Sequence, residues 1–516
     1  MWRNFIMILL LMSGHAVTAQ HQNIRISNSR SPEEPTVVIN PQNTNQVIAG
    51  SNIDNVFYSH DGGYSWTVND LDSPYGVWGD PVIIADTAGH FYYFHLSNPP
   101  NGNWIDRIVC QKSTDGGVTW SEGTYIGLNG EKAQDKHWAV VDRSTNAIYL
   151  TWTQFDVYGS SSSEHKSDIL FSKSYDGGLT WSTPVRINEV SGDCIDSDNT
   201  TEGASPAVGP DGEIYVAWMG PQGIVFDRST DEGESWLEHD ILIDDLPGGW
   251  DFTVPGISRS NGFPVLRCDL SGGIHHGTLY LNWSDQRNGD DDTDLWLVKS
   301  VDGGFSWSEK VRVNDDEPGK HQFFTWMDID QGSGDLWFVF YDRRNYADNF
   351  TDVYMALSQD GGATFTNFVI SETPFEPWSS VFFGDYNNLS VHNGIVRPVW
   401  TRLVGGSLSV WTAIVDVHAV GEPDQEAIPF ELEQNFPNPF AQTTWFKYKL
   451  RRAEVISLRV YDITGRPVAT LIKNREKEAG RHVAHFDPGE YGLSSGIYYF
   501  SLETKTQVVR RKMVFQ

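Results

Sequence analysis

Along most of the chain, apolar and polar positions alternate for a few residues and then break at Gly, Asn or Asp. "PTVVINPQNTNQVIAGS" (35–51) has this form. So do "HWAVVDRSTNAIYLTWT" (137–153), "ASPAVGPDGEIYVAWMG" (204–220) and "FTWMDIDQGSGDLWFVFYD" (324–342). A period of two sends successive side chains to opposite faces, so each phrase predicts two antiparallel strands joined by a hairpin. A third strand follows, as in "ILFSKS" (169–174), "LWLVKS" (295–300) and "VYMALS" (353–358). A fourth follows after a turn, as in "PVRIN" (184–188) and "KVRVN" (310–314). Four-stranded units tiled every 40–60 residues or so predict the blades of a β-propeller.

The turn before the fourth strand carries one phrase six times: "SHDGGYSW" (59–66), "STDGGVTW" (113–120), "SYDGGLTW" (174–181), "STDEGESW" (229–236), "SVDGGFSW" (300–307) and "SQDGGATF" (358–365). Asp and Ser/Thr oxygens accept from nearby backbone N–H groups, and Gly takes dihedrals that other residues resist. The closing aromatic offers a flat surface to wedge between sheets. No nucleophile stands beside a base here, so the phrase is expected to be structural. A seventh unit, "GDYNNLSVHNGIVRPVWTRL" followed by "SLSVWTAIVDV", has three strands and no such phrase. Its missing outer strand could come from "NIRIS" (23–27), which is similar to the fourth strands "VRIN" and "VRVN". Seven blades over 22–418 are expected, or six if one unit is an insertion.

The repeated phrase resembles the Asp box (BNR repeat) of sialidases and related β-propellers, which implies an all-β, Asp-box propeller. In that family the boxes lie away from the active site, so the opposite face gathers what precedes first strands and follows second strands. There stand Asp135 and His137 ("QDKHW"), Glu202 ("TEGASP"), and Asp385 with Tyr386 ("FGDYNN"). Asp285 and Arg287 ("SDQR"), Asp342 and Arg343 ("YDRR") and Arg402 ("WTR") follow second strands. The resemblance implies that Arg287, Arg343 and Arg402 grip a substrate carboxylate, that Tyr386 with Glu202 forms a nucleophilic pair, and that Asp135 is the acid/base. The sialidase Arg-Ile-Pro tripeptide is absent, "NIRISNS" being the nearest stretch. Each Asp–Arg pair could equally be a salt bridge between blades, and His137 could simply stack on Trp138. Loops 96–107, 154–168, 188–202, 240–265 and 285–294 crowd this face, and their neighbourhood offers Trp104, Trp250 and Trp378 for stacking on sugar rings.

Composition narrows the picture. Asp+Glu number 68 against 37 Lys+Arg, a net charge of −31, which repels nucleic acid and anionic membranes. "MWRNFIMILLLMSGHAVTAQ" reads as a secretory signal peptide over 1–19, and no later stretch is apolar enough to span a bilayer. Cys110, Cys194 and Cys268 are too few for a disulfide scaffold, although a Cys194–Cys268 bridge could form outside the cytoplasm. No cofactor is expected. "NGDDDTD" (288–294) and "SGDCIDSDNTTEG" (191–203) are either solvated acidic loops or sites for structural calcium.

The sign of the charge reverses near the end. Residues 431–516 hold 14 Lys+Arg against 9 Asp+Glu, after a polar, Pro-punctuated linker over 419–430. "WFKYKL", "VISLRVYDI", "HVAHFD" and "GIYYFSLET" predict the strands of a small immunoglobulin-like β-sandwich. "LEQNFPNPF" (432–440), "VYDITGRPV" (460–468) and "SSGIYYFSL…VVRRKMV" (494–514) resemble the type A sorting domain of type IX secretion. That resemblance implies the secretion machinery as a partner and delivery to the outer surface or beyond. The expected function is a secreted, sialidase-like glycoside hydrolase acting on extracellular glycans. The alternative is a non-catalytic propeller that binds glycans or proteins.

Overall fold

The computed structural model describes residues 21–417 and 430–516, apart from 433, 451–452, 464–465, 479 and 505–507. The expected signal peptide, and all but the last residue of the expected linker, lie outside the described residues. The chain divides at 420/421 into two compact units.

The first unit holds seven four-stranded antiparallel sheets. Blades 1 to 6 span 36–70, 79–126, 133–186, 202–244, 265–312 and 322–369, and each runs first strand to fourth in chain order. Blade 7 takes three strands from 388–414, and Gln22–Ser27 pairs as its outer strand with Ser407–Ile414. Each first strand packs beside that of the next blade, and Asn388–His392 packs beside Thr36–Ile39, which closes the ring. Strands from both ends of the propeller therefore share one sheet, leaving no unpaired first or last blade to template aggregation.

The repeated boxes join third to fourth strands and fold alike. In blade 3 the Ser174 hydroxyl accepts from the Gly178 N–H (2.9 Å) and donates to Asp176 (2.9 Å). Asp176 accepts in turn from the Leu179 and Thr180 N–H groups and the Thr180 hydroxyl. The second glycine of the box is left-handed and lies against the preceding blade. A Cβ on Gly233 would come within 2.4 Å of Phe171, and one on Gly304 within 2.3 Å of Phe226. The first glycine is freer, and Glu232 replaces it in blade 4 at φ 60°. Trp181, Trp236 and Trp307 then meet Phe94, Phe171 and Phe226 of the preceding blades edge-on.

A cavity of about 520 Å³ runs along the axis, walled by first strands of all seven blades and reaching their first-to-second-strand turns. Trp138 closes its other end by packing on Trp326, Phe263 and Tyr386, with ring centroids 6.1–6.4 Å apart. Cys110, Cys194 and Cys268 are free and buried. Cys194 belongs to the core of blades 2 and 3, and Cys268 to that of blades 4 and 5, so the bridge the sequence left open does not form.

The second unit pairs a three-stranded sheet with a four-stranded one. Phe446 and Phe486 of one share a core with Ile456, Leu458, Phe500 and Met513 of the other. No helix among the described residues is long and apolar enough to cross a membrane.

Candidate functional site

On the face away from the boxes, the first strands begin irregularly. Pairing with the second strand slips between Gly79 and Val82, Asp135 and Trp138, Glu202 and Ser205, and Phe323 and Trp326. Inside these bulges Asp80 (φ 50°), Lys136 (φ 43°), Gly203 (φ 75°) and Phe324 (φ 52°) are left-handed, and Glu34 (φ 52°) precedes the first strand of blade 1. A bulge re-aims side chains, and left-handed non-glycine residues concentrate where function imposes strain. Here the bulges let Asp80 of blade 2 and Lys136 of blade 3 meet.

Lys136 is the hub. Its Nζ lies 3.0 Å from Asp80 Oδ2 and 3.4 Å from Asp385 Oδ2, with its side chain only 4% exposed. Burial would lower its pKa, but Asp385, Asp80 and Glu34 raise it well above the usual lysine range, so it stays charged. Arg259 donates to the same Asp385 oxygen and stands 3.4 Å from Asp196 and 3.8 Å from Glu34. Against burial, Arg259 and Lys136 hold the Asp385 carboxyl well below its usual range. Asp80 is likewise held down by Lys136, and its N–H donates to Asn52 Oδ1 (2.7 Å).

Other carboxyls move the opposite way. Burial, and then the charges of Asp385 and Asp80, push Glu34 well up. Glu33 rises to about 8, chiefly by burial. Burial and Asp80 bring Asp135 to about 7. Glu202 is fully buried, neither carboxyl oxygen has a hydrogen-bond partner, and burial with Asp196 and Asp135 raises it well above normal. Asp80 and Asp385 are therefore ionised at neutral pH, whereas Glu34 and Glu202 are pushed toward the protonated form.

Tyr386 lies half-buried, its ring 5.7 Å from Lys136 Nζ. Burial, Asp80 and Glu34 raise its phenol well above 10, so it keeps its proton. The charges acting on it are those of Asp80, Glu34, Asp385 and Glu33, whereas Glu202 responds to Asp196 and Asp135. Glu202 makes no hydrogen bond to Tyr386, and the charges that raise the phenol are chiefly those of Asp80 and Glu34.

The structure thus brings together Asp135, Glu202, Asp385 and Tyr386, with Glu33, Glu34, Asp80, Lys136, Asp196 and Arg259 added. It does not gather the three arginines. Arg287 is clamped by Asp285 (2.9 Å) and Asp244 (3.0 Å). Arg343 donates to the Pro255 carbonyl (2.6 Å) and Thr351 (3.0 Å), and Arg402 to Thr373 (3.0 Å). Asp342 accepts from Arg344 (2.7 Å), so Asp285 and Asp342 act as struts for following arginines. His137 is buried against Phe94, and burial lowers its pKa to about 4, leaving a neutral ring. Trp250 is a core residue, 3% exposed and packed on Phe263.

The acidic loops are also spent locally. Asp292 accepts from the Gly319 and Lys320 N–H groups, Asp294 from Asn288 and Asn314, and Asp198 from the Trp250 and Asp251 N–H groups. Among the described residues, no group of three or more His, Cys, Asp or Glu is arranged to hold a metal ion.

Glu34 and Asp80 occupy the same left-handed position as Lys136, in "EEP" and "GDP", with Glu33 in the place of Asp135, and the repeat register could have found them. Arg259, Asp196 and Tyr158, whose hydroxyl donates to Asp196 (2.7 Å), come from loops outside the repeat.

Residues 434–516 match the secretion system C-terminal sorting domain. That domain marks the chain for type IX secretion, and the protein is secreted or held at the outer cell surface. No curated protein matches the chain. Among solved structures, it is similar to a Hadza microbial sialidase (TM-score 0.42, 16% identity, 72% of this chain and 74% of that one). It is also similar to an ulvan lyase of a polysaccharide lyase family (0.45, 12%, 75% and 95%). A third likeness is to the NanB sialidase from Streptococcus pneumoniae (0.43, 9%, 72% and 83%).

Proposed function

We propose that the Lys136-centred cluster is the active site of a secreted glycoside hydrolase acting on extracellular glycans. One observation carries this reading: neighbouring carboxyls at the axis have pKa values driven in opposite directions by burial and by two shared cations. Glycosidic cleavage needs that division, with one carboxylic acid to protonate the departing oxygen and one carboxylate to meet charge developing at the anomeric carbon. Asp135, raised to about 7, is matched to proton donation near neutrality. Asp385 and Asp80 are the ionised partners, and Glu202 is a second buried proton holder. Tyr386 keeps its phenol proton and positions substrate by donating a hydrogen bond.

Sialidase-like gripping of a substrate carboxylate has less support, because Arg287, Arg343 and Arg402 are tied elsewhere. A non-catalytic glycan-binding propeller is the second reading. It is favoured by the depth of Glu202 and Asp385, 0% and 1% exposed. Reducing-sugar release from a panel of glycans decides between them. Asp135→Asn and Tyr386→Phe should each cut kcat, Asp135→Asn by about 100-fold or more. Unchanged turnover in both variants rejects the site, and binding without cleavage selects the second reading.

A further inference from the structure

Two sets of surface aromatics reach the charged cluster. In the first, Trp78, immediately before the Gly79–Asp80 bulge, meets Trp104 edge-on at 6.1 Å, and Trp104 meets Tyr158 at 5.4 Å. Tyr158 donates to Asp196, Asp196 faces Arg259, and Arg259 binds Asp385. A continuous chain of contacts therefore links an aromatic ladder to the buried carboxylates. Trp78 is 38% and Trp104 42% exposed, large areas for rings that a core would otherwise absorb. In the second set, from the loop before blade 7, Phe382, 41% exposed, lies under the Arg259 guanidinium at 5.4 Å, four residues from the exposed Trp378.

We infer that these aromatics are subsites for a polysaccharide chain that lies across the cluster with sugar rings on both sides of the bond to be cut. Flat rings stack on the C–H faces of pyranoses, and two such surfaces, carried by different blades, together offer room for more sugar rings than a terminal residue would fill. The polymer is uncharged. Lys136 and Arg259 are already paired with the cluster's own carboxylates, and residues 1–430 hold 59 Asp+Glu against 23 Lys+Arg, which repels anionic chains. Cutting within the chain, and the site of cutting, rest on the hydrolase reading, whereas the binding surface does not.

The test uses the full chain in two assays. Affinity electrophoresis through gels of uncharged polysaccharides (xylan, galactan, mannan, β-glucan, arabinan) should show retardation by at least one. Trp104→Ala and Phe382→Ala should each weaken that binding about tenfold. On the same polymer both variants should raise KM, and by a larger factor than for a small aryl glycoside. Products should be oligosaccharides from the first minutes. Binding that persists in both variants, retardation only by sialylated or uronate-bearing polymers, no retardation at all, or release of single sugars alone would overturn the inference. Retardation that depends on Trp104 and Phe382 without cleavage would keep the binding surface and sink the hydrolase reading instead.

Discussion

The two faces of the propeller are built from one repeat yet have opposite chemistry. On the box face each Asp is exposed and saturated with donors: Asp302 accepts from the Ser306 hydroxyl and N–H and from Ser300, which hold its carboxyl at about 2. On the opposite face carboxyls are buried, two oxygens of Glu202 lack partners, and Glu33 rises to about 8. The boxes do the same thing six times because each locks a turn and presses a glycine onto the preceding blade. On the opposite face the residue at the left-handed position varies from blade to blade: Glu34, Asp80, Lys136, Gly203, Phe324 and Gly384. Repetition marks what every blade needs in order to pack, and departure from it marks what the ring needs only once.

Removing the hub should separate the two faces most sharply. Lys136→Met would leave Asp80 and Asp385 buried with one cation fewer, and breaking a buried ion pair in this way costs about 3–5 kcal/mol. Urea unfolding of the variant should show a loss of that size, with glycan turnover abolished at low denaturant. A loss below about 1 kcal/mol would mean that water reaches the cluster freely and that its pKa values are not displaced.

The faces should also respond oppositely to pH. Asp135 and Glu33 have folded pKa values of about 7 and about 8, above their unfolded values near 4. The folded state binds the extra protons, so their stabilisation is complete below about pH 4 and is lost as pH rises toward 8. The box aspartates are depressed, so their contribution is present above about pH 4 and fades as pH falls toward 2. Exposure and screening make the box contribution the smaller of the two. Melting temperature should therefore peak between the two windows and decline from pH 5 to 8, and Asp135→Asn should flatten that decline. Hydrolysis should fall above pH 7 as Asp135 loses the proton it donates. A melting temperature that rises steadily from pH 5 to 8 would contradict the raised carboxyls.

The same contrast explains what the sequence disclosed. Alternation and the box phrase made the four-stranded sheets legible because local period and turn chemistry dictate them. Asp135, Glu202, Asp385 and Tyr386 were legible because each stands at or just before the start of a first strand, so the repeat register assigns its face. Arg287 and Arg344 each stand two residues after an Asp, and that spacing lets a guanidinium fold back on its own neighbour rather than reach the axis. Arg343, between them in register, turns instead to a loop carbonyl. Arg259 and Asp196 belong to loops whose course no period specifies, and the bulge that re-aims Lys136 is invisible in "QDKHW" because it inserts no glycine.

The smallest expected effect lies in a single box. Ser174→Ala removes the hydroxyl that accepts from the buried Gly178 N–H and donates to Asp176. Asp176 keeps its other donors, so the turn should persist, but an unsatisfied buried N–H costs about 1–3 kcal/mol. The loss should appear in urea unfolding and leave kcat and KM unaltered, because the box lies at the far end of its blade from Asp135. Equivalent serines at 59, 113, 229, 300 and 358 should behave alike, since the geometry is the same in each copy. If Ser174→Ala instead lowered turnover at unchanged stability, the boxes would be coupled to the axial cluster, and the division of labour between the two faces would fail.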